Sequence, residues 1–493
     1  MDLLSAVAGC TFDDFLLTPQ MSVVDRRDPA TIDLSARLTT SLTLARPIVS
    51  ANMDTVTRAE MAIVMAEEGG IGIIDRGFRP GDIEPQVREV LKVKRTQHGI
   101  IPDPLTIAPE ATLADAKAAM ARARVGTLVV VDGDWRLEGM LTERDLQFVD
   151  DLTATVASRM TPRNRLVTFT GRPSEAEAAA AMAAHRVKKL PLLDASGRLT
   201  GLVTTRDLIR QRDLPFATRD DQGRLRVGAA IGARGDYVER ASELIRAGVD
   251  VLVIDIAHGH SRVMERALDE IRKRFPAVDV IAGNVATADG TRFLTERGAC
   301  AVKVGIGPGG GCTTRLTTSF GVPQLHAIVE CQRAAGGVPI IADGGIRRHG
   351  AIALALMCGG DSVMLGSAFA GTTEAPGDIV HKSVLLPESQ KAVKVPFKVL
   401  RGMASIEAIK DRLDVEDASA VDLQAIGAEG MEVSVPLRGS ARSVIQEMMK
   451  HLCSSISYGG ADSLADLSRR FRADPERYLV RLTDSSRRES YER

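Results

Sequence analysis

Cys312 stands in the stretch GIGPGGGCTTR (305–315), with glycines on one side and Thr313, Thr314 and Arg315 on the other. A cysteine in such a loop is suited to nucleophilic chemistry, because nearby N–H dipoles favour the thiolate. Glycine weakens regular structure, so a run of this kind implies close approach of backbone to a ligand. The remaining cysteines, Cys10, Cys300, Cys331, Cys358 and Cys453, are scattered without paired spacing and read as small buried hydrophobes. That pattern predicts a reduced compartment, with no disulfide framework or zinc site. GIGPGG also fits the dinucleotide pattern G-x-G-x-x-G, but Pro308 interrupts it and SFGVP (319–323) soon breaks the segment. A Rossmann reading needs a helix to begin inside the loop. The better reading is a cradle for a phosphate or ion, with successive N–H groups turned towards an anion.

The elements that must position this loop are short apolar runs. They are RPIVSANM (46–53), GGIGIID (69–75), RVGAAIG (226–232), VDVLVIDIA (249–257), VDVIAGNVA (278–286), AVKVGIG (301–307), PIIADGG (339–345) and SVMLGSA (362–368). Unbroken hydrophobic runs are what strands covered on both faces require. Eight of them, alternating with helix-length stretches, predict an α/β fold, a (β/α)8 TIM barrel with reactive groups on the loops after the strands. Asp-Gly-Gly in IADGGI (341–346) could be a simple turn. With the glycine-rich ends at 305–311 and 366, it reads more economically as part of a converging phosphate pocket.

Between the second and third runs lies an internal repeat. LEGMLTERDL (137–146) returns as LTGLVTTRDL (199–208). Each copy has an extended opening, an alanine-rich helix, a short strand and the closing motif, so each is a structural unit. The predicted organisation is a first barrel part at 1–95, an inserted repeat pair at 96–215, and a second barrel part at 216–493. Read on their own, the Thr-x-x-Asp ends, Thr142/Asp145 and Thr204/Asp207, could be helix N-caps, a device that needs no ligand.

At 493 residues, with 44% hydrophobic and 26% charged residues, the composition is that of a globular protein. A formal net charge of −1, without basic blocks, gives no support to nucleic-acid binding. No apolar run approaches a membrane span, and MDLLSAVAGC lacks the features of a signal peptide. A cytoplasmic protein is expected, with a peroxisome-like organelle left open.

GIGPGGGCTTR resembles the catalytic loop of the family of IMP dehydrogenases and GMP reductases. SANMDTVT (50–57), IAGNVAT (281–287), IADGGI, GSAFAGTTEAPG (366–377), RGMAS (401–405) and AEGMEV (428–433) fit in order. The repeat pair resembles cystathionine-β-synthase-type (CBS) repeats, which implies purine nucleotide effectors such as GTP, GMP or ATP at Thr142, Asp145, Thr204 and Asp207. The resemblance implies that Cys312 attacks C2 of a purine nucleotide and that Asp343 holds the ribose. It places Gly310, Gly345, Gly366 and Ser367 at the phosphate, and Met53, Met403 and Glu429 at the base. Asp255, Ala257, Asn284 and Gly305 fall beside the nicotinamide cofactor, with Thr314 next to it. Carbonyls of Gly307, Gly309 and Cys312, with Glu489 and Ser490 of a neighbouring subunit, would hold a monovalent cation such as K+. A homo-tetramer, or an octamer, is implied. Two positions depart from the family: Gly310 replaces a serine, and Leu400 replaces a tyrosine.

The flap expected at 406–428 contains Arg412 followed by Leu413 and no tyrosine. Dehydrogenases of the family use an Arg-Tyr pair there to activate water. Ala257 in DIAHG and the segment SSISYGG (454–460) also favour a reductase. The expected activity is therefore NADPH-dependent reduction of GMP to IMP and ammonia. IMP dehydrogenase is the alternative, and a nucleotide-sensing pseudoenzyme the alternative of another class. Family reductases carry a catalytic glutamate directly after the serine of GM-x-S. Here that position is Ile406, so Glu407, one residue later, is assigned as the partner of Thr314.

Overall fold

The computed structural model describes residues 2–96, 100–101, 104–123, 125–205, 208–209, 213–385, 392–412 and 427–491. Eight parallel strands close into a barrel. They are β1 (Ile48–Ser50), β2 (Ile71–Ile74), β3 (Gly228–Ile231), β4 (Val251–Asp255), β5 (Asp279–Val285), β6 (Ala301–Val304), β7 (Ile340–Asp343) and β8 (Ser362–Leu365). Closure is made where Val363 of β8 pairs with Ile48 of β1. Each of the eight apolar runs contains one of these strands.

Strand alternation explains both the runs and the placement of polar groups. In β4, Val251 and Val253 pack inside the barrel, whereas Leu252 and Ile254 pack under the outer helices. Both faces are therefore buried, which keeps positions 251–254 apolar. The inward parity continues to Asp255 at the strand end. The same parity sends Lys303 inward after Ala301 in β6, and Asp343 inward after Ile341 in β7. The outer helices differ: His349–Cys358 is buried all round from Ala351 onward, whereas others bury one face. In Arg262–Arg274, Met264, Ala267, Leu268 and Ile271 are buried, and Ser261 accepts a hydrogen bond from the Met264 amide at the N-terminus.

An antiparallel three-stranded sheet (Val380–Leu385, Ala392–Arg401, Glu432–Pro436) carries the segments that flank the expected flap. The helix Ile406–Arg412 follows it. Flap positions 413–426, including Leu413, lie outside the described residues.

The chain divides into two compact units. One holds 1–96, 216–220 and 225–493; the other holds 97–215 with 221–224. The second contains two four-stranded sheets of matching construction. In each, a central hairpin (Thr127–Val131 with Leu137–Thr142; Lys189–Leu193 with Leu199–Thr204) packs against one helix (Leu113–Ala123; Glu175–Ala184). The hairpin turns meet, with the Leu199 amide donating to Trp135 O at 2.9 Å. Val129, Val131 and Leu137 of one copy share a core with Leu193, Leu199 and Leu202 of the other.

Candidate active site

The C-terminal ends of the barrel strands surround a cavity of about 350 Å³. At its wall, three strand-end side chains form a buried charge network. Lys303 Nζ lies 3.1 Å from Asp255 and 2.6 Å from Asp343. Asn284 Nδ2 donates to Asp343 at 2.9 Å and to Gly305 O at 2.7 Å, and Asn52 Nδ2 donates to Asp255 at 2.6 Å. Burial alone would lower the Lys303 ammonium, but the two carboxylates outweigh it and hold its pKa above the ordinary lysine value. Burial pushes the Asp255 carboxyl up; Lys303 and Arg76 overcome this and hold it below the ordinary aspartate value. Lys303 and Asp255 are therefore held in their charged forms, and the ion pairs and amide hydrogen bonds fix the three side chains in place.

The glycine loop runs over this wall. Gly305 has φ +150°, and a Cβ there would lie 2.1 Å from Asp343 O, so only glycine fits. Further along, the loop is crossed by two chain segments. The Met431 amide donates to Gly311 O, the Thr313 amide to Glu429 O, and the Gly402 amide to Met431 O. A Cβ on Gly402 would lie 2.4 Å from Gly311 O. Glycine is needed here because three backbones pass within contact of one another.

This crossing brings Glu429 to the cysteine loop. Thr314 Oγ1 donates to Glu429 Oε2 at 2.7 Å, and Cys312 Sγ lies 3.3 Å from the same hydroxyl. The partner of Thr314 is thus Glu429. The assignment of Glu407 to that place is corrected: in the helix Ile406–Arg412, Ile409 faces the cavity and Ala408 is buried, which turns Glu407 out to solvent. All six cysteines are free thiols; Cys312 is the partly exposed one and the other five are buried.

The remaining expected residues are distributed as follows. Met53, Met403, Gly310, Gly345, Gly366 and Ser367 all line the cavity, as do Ala257, Asn284, Gly307 and Gly309. The ends of β6, β7 and β8 converge: a Cβ on Gly344 would meet Gly309 N at 3.2 Å, and one on Gly310 would meet Ser367 Cβ at 3.8 Å. The Gly309 carbonyl accepts from the Cys312 amide at 3.1 Å. Glu489 and Ser490 lie on the helix Asp484–Tyr491 and do not line the cavity. In the inserted unit, Asp145 Oδ2 accepts from the Thr142 amide and hydroxyl, each at 2.7 Å, and closes a local turn. Thr204 ends its strand, and Asp207 lies outside the described residues. Sequence reasoning missed Lys303 and Arg76. The signal for Lys303 was visible as a lone charge inside the apolar run AVKVGIG. Arg76 lines the cavity, and its Nε is buried without a hydrogen-bond partner.

Fold and site together define an α/β barrel with a cysteine-bearing glycine loop over a cavity at its strand ends. The chain belongs to the family described as "IMP dehydrogenase / GMP reductase domain", whose sequence model matches residues 9–492. It is 42% identical over 487 residues to the inosine-5'-monophosphate dehydrogenase of Aquifex aeolicus, covering 98% of this chain and 95% of that one. It is 43% identical over 505 residues to the protein of the same name from Bifidobacterium longum, covering 99% and 88%. Its structure is similar to a cysteine-to-alanine variant of GMP reductase from Trypanosoma brucei in complex with guanosine 5'-monophosphate. That match has a TM-score of 0.86 and 36% identity and covers 99% of both chains. The same reductase in complex with guanosine 5'-triphosphate matches with a TM-score of 0.77 and 35% identity, over 97% of this chain and 98% of that chain. No described helix is long and apolar enough to cross a membrane.

Proposed function

We propose that the protein is a GMP reductase that converts GMP to IMP and ammonia through a covalent adduct on Cys312. The covalent chemistry rests on the Thr314 hydroxyl, placed between the Cys312 thiol and the Glu429 carboxylate, and the choice of reductase rests on the absence of a tyrosine from 406–428. Cys312 Sγ attacks C2 of the purine, and its proton passes through Thr314 towards Glu429. The same relay returns that proton to the departing amine, so the C2–N bond breaks and ammonia leaves. The adduct is then a thioimidate, with C2 bonded to sulfur. When bound, NADPH would supply the hydride that C2 takes up. The C–S bond breaks, IMP is released, and the thiolate is reprotonated. The residues suited to hold the cofactor are Asp255, Ala257, Asn284 and Gly305, and the unpartnered Arg76 Nε fits one of its acceptor groups. Asp343 would hold the ribose hydroxyls and Gly345, Gly366 and Ser367 the phosphate, with Met53 and Met403 against the base. K+ would be held by carbonyls of Gly307, Gly309 and Cys312, with Glu489 and Ser490 from a neighbouring subunit of a tetramer. The inserted unit would bind purine nucleotides at Thr142, Asp145, Thr204 and Asp207.

The names of the curated relatives favour a second reading, IMP dehydrogenase with NAD. Under it, the Thr314–Glu429 pair would activate water for hydrolysis of the adduct. The missing tyrosine in 406–428 speaks for the reductase. The test is an absorbance assay at the nicotinamide band, with GMP plus NADPH and IMP plus NAD run side by side. Steady XMP formation from IMP at a rate matching GMP reduction would overturn the reductase reading.

A further inference from the structure

On the outer layer of the barrel, away from the cavity, two helices bring three metal-ligating side chains together. The helix Ala441–Tyr458 buries Val444, Ile445, Met448, Met449, Leu452 and Cys453. Glu447 and His451 sit beside that stripe, one turn apart, so they project from the same edge. The helix His349–Cys358 begins against this edge, and the His349 and His451 rings lie 4.8 Å apart between centroids, tilted by 31°. One ligand atom from each of His349, Glu447 and His451 falls within 4.8 Å of the others.

We propose that His349, Glu447 and His451 form a binding site for a divalent transition-metal ion of the zinc class. Two imidazoles and one carboxylate are a borderline ligand set that suits Zn²⁺ in preference to Mg²⁺ or Ca²⁺. Tetrahedral coordination at ordinary Zn–N and Zn–O lengths brings ligand atoms to roughly 3.3 Å from one another, which requires a closure of about 1.5 Å or less. The side chains of Glu447 and His451 are 61% and 54% exposed, so they can rotate to close that gap. Three protein ligands leave the fourth position for water.

The position of His349 gives the site a consequence. It follows directly on the loop that leaves Asp343 and passes Ile346, both cavity-lining residues. Its neighbour Arg348 is anchored by Asp13 at 2.6 Å and lies over the Tyr491 ring at 3.6 Å. A bound ion would tie the first residue of this helix to the helix Ala441–Tyr458 and fix the far end of the Asp343 loop.

The test uses the full chain, stripped with a chelator and equilibrated with micromolar Zn²⁺, with bound metal measured after dialysis. One ion per chain is expected. Loss of partners that merely support a ligand weakens metal sites by about 10–100-fold, so removing a ligand should cost at least that. His349→Ala and His451→Ala should therefore each weaken binding by at least about tenfold, whereas Cys312→Ala should leave it intact. Unaltered melting temperatures of the metal-free variants would show that they fold. Should His349→Ala lower that temperature, the exposed position 451, as His451→Gln, decides alone. A wild-type chain that binds no zinc, binding unchanged in His451→Gln or His451→Ala, or binding lost in Cys312→Ala would each overturn the proposal.

Discussion

Two regions of this molecule pair a threonine with an acidic residue, and they do so in opposite ways. In the inserted unit, Thr142 and Asp145 are three residues apart, and both protons that Asp145 Oδ2 accepts come from Thr142. Thr112 with Asp115 and Ser174 with Glu177 repeat the arrangement at other turns of the same unit. In the barrel, Thr314 and Glu429 are 115 residues apart and meet because three chain segments cross at Gly311, Gly402 and Gly430. A local pair satisfies backbone groups that would otherwise lack partners, and it needs no ligand. A distant pair satisfies no such local need. Its cost in chain ordering points to a job for the hydroxyl itself, here beside a thiol.

The comparison breaks most readily at the thiol. Cys312→Ala should reduce turnover by at least ~10³-fold, because the only covalent route is removed. Folding and GMP affinity should stay near wild type, as checked by thermal melting and equilibrium binding. Residual turnover within tenfold of wild type would show that the barrel pair serves no nucleophile.

The next largest effect concerns the pair. Positioned proton transfer is worth roughly 10²–10⁴-fold. Glu429→Gln and Thr314→Val should each lower kcat by an amount in that range, and the double variant should lose little more, since both act on one proton. Glu407→Gln should change kcat by no more than about twofold, because that side chain is exposed on the far side of its helix. Rapid-quench measurement of ammonia release separates this from hydride transfer. A large Glu407→Gln effect with a silent Glu429→Gln would reverse the assignment.

The barrel was legible because its strands are buried on both faces and so appear as unbroken apolar runs. Cys312 was legible because a run of glycines leads up to it. What was not legible depends on long-range geometry. Glu429 as partner of Thr314 follows from backbone crossings that no local pattern encodes, whereas Glu407 was chosen by proximity to a motif. Lys303 showed itself as a charge in an apolar strand, but only the inward parity of β4, β6 and β7 reveals that it joins Asp255 to Asp343. In the inserted unit the repeat was plain, yet the first Thr-x-x-Asp copy, Thr142 with Asp145, is satisfied by its own turn and cannot by itself report a ligand.

Asp145→Ala sharpens the local half of the comparison. Removing the acceptor at an N-terminal turn costs about 0.5–2 kcal/mol. Hydrogen exchange should show that loss confined to the inserted unit, with the uninhibited rate unchanged. If Asp145 also contacts a purine nucleotide, the effect of GTP or ATP on rate or assembly should fall with it. Loss of stability with an intact nucleotide response would leave Asp145 as a cap and nothing more.

The smallest effect is expected at Gly310, and it runs in the favourable direction. Gly310 does not occupy the left-handed region of backbone space, so a side chain there is not strained. A Cβ would meet Ser367 Cβ at 3.8 Å and Leu400 Cδ2 at 3.9 Å, which are ordinary contacts. Gly310→Ser should therefore fold normally and present a hydroxyl beside Ser367, where the phosphate is proposed to sit. A hydrogen bond made in exchange for water is worth about 1 kcal/mol. KM for GMP should fall by about fivefold with kcat nearly unchanged, because the contact lies far from C2 and acts equally on ground and transition states. Steady-state kinetics against GMP decide the point. An unchanged KM with normal folding would place the phosphate elsewhere in the cavity, and with it the convergence of the β6, β7 and β8 ends would lose its proposed purpose.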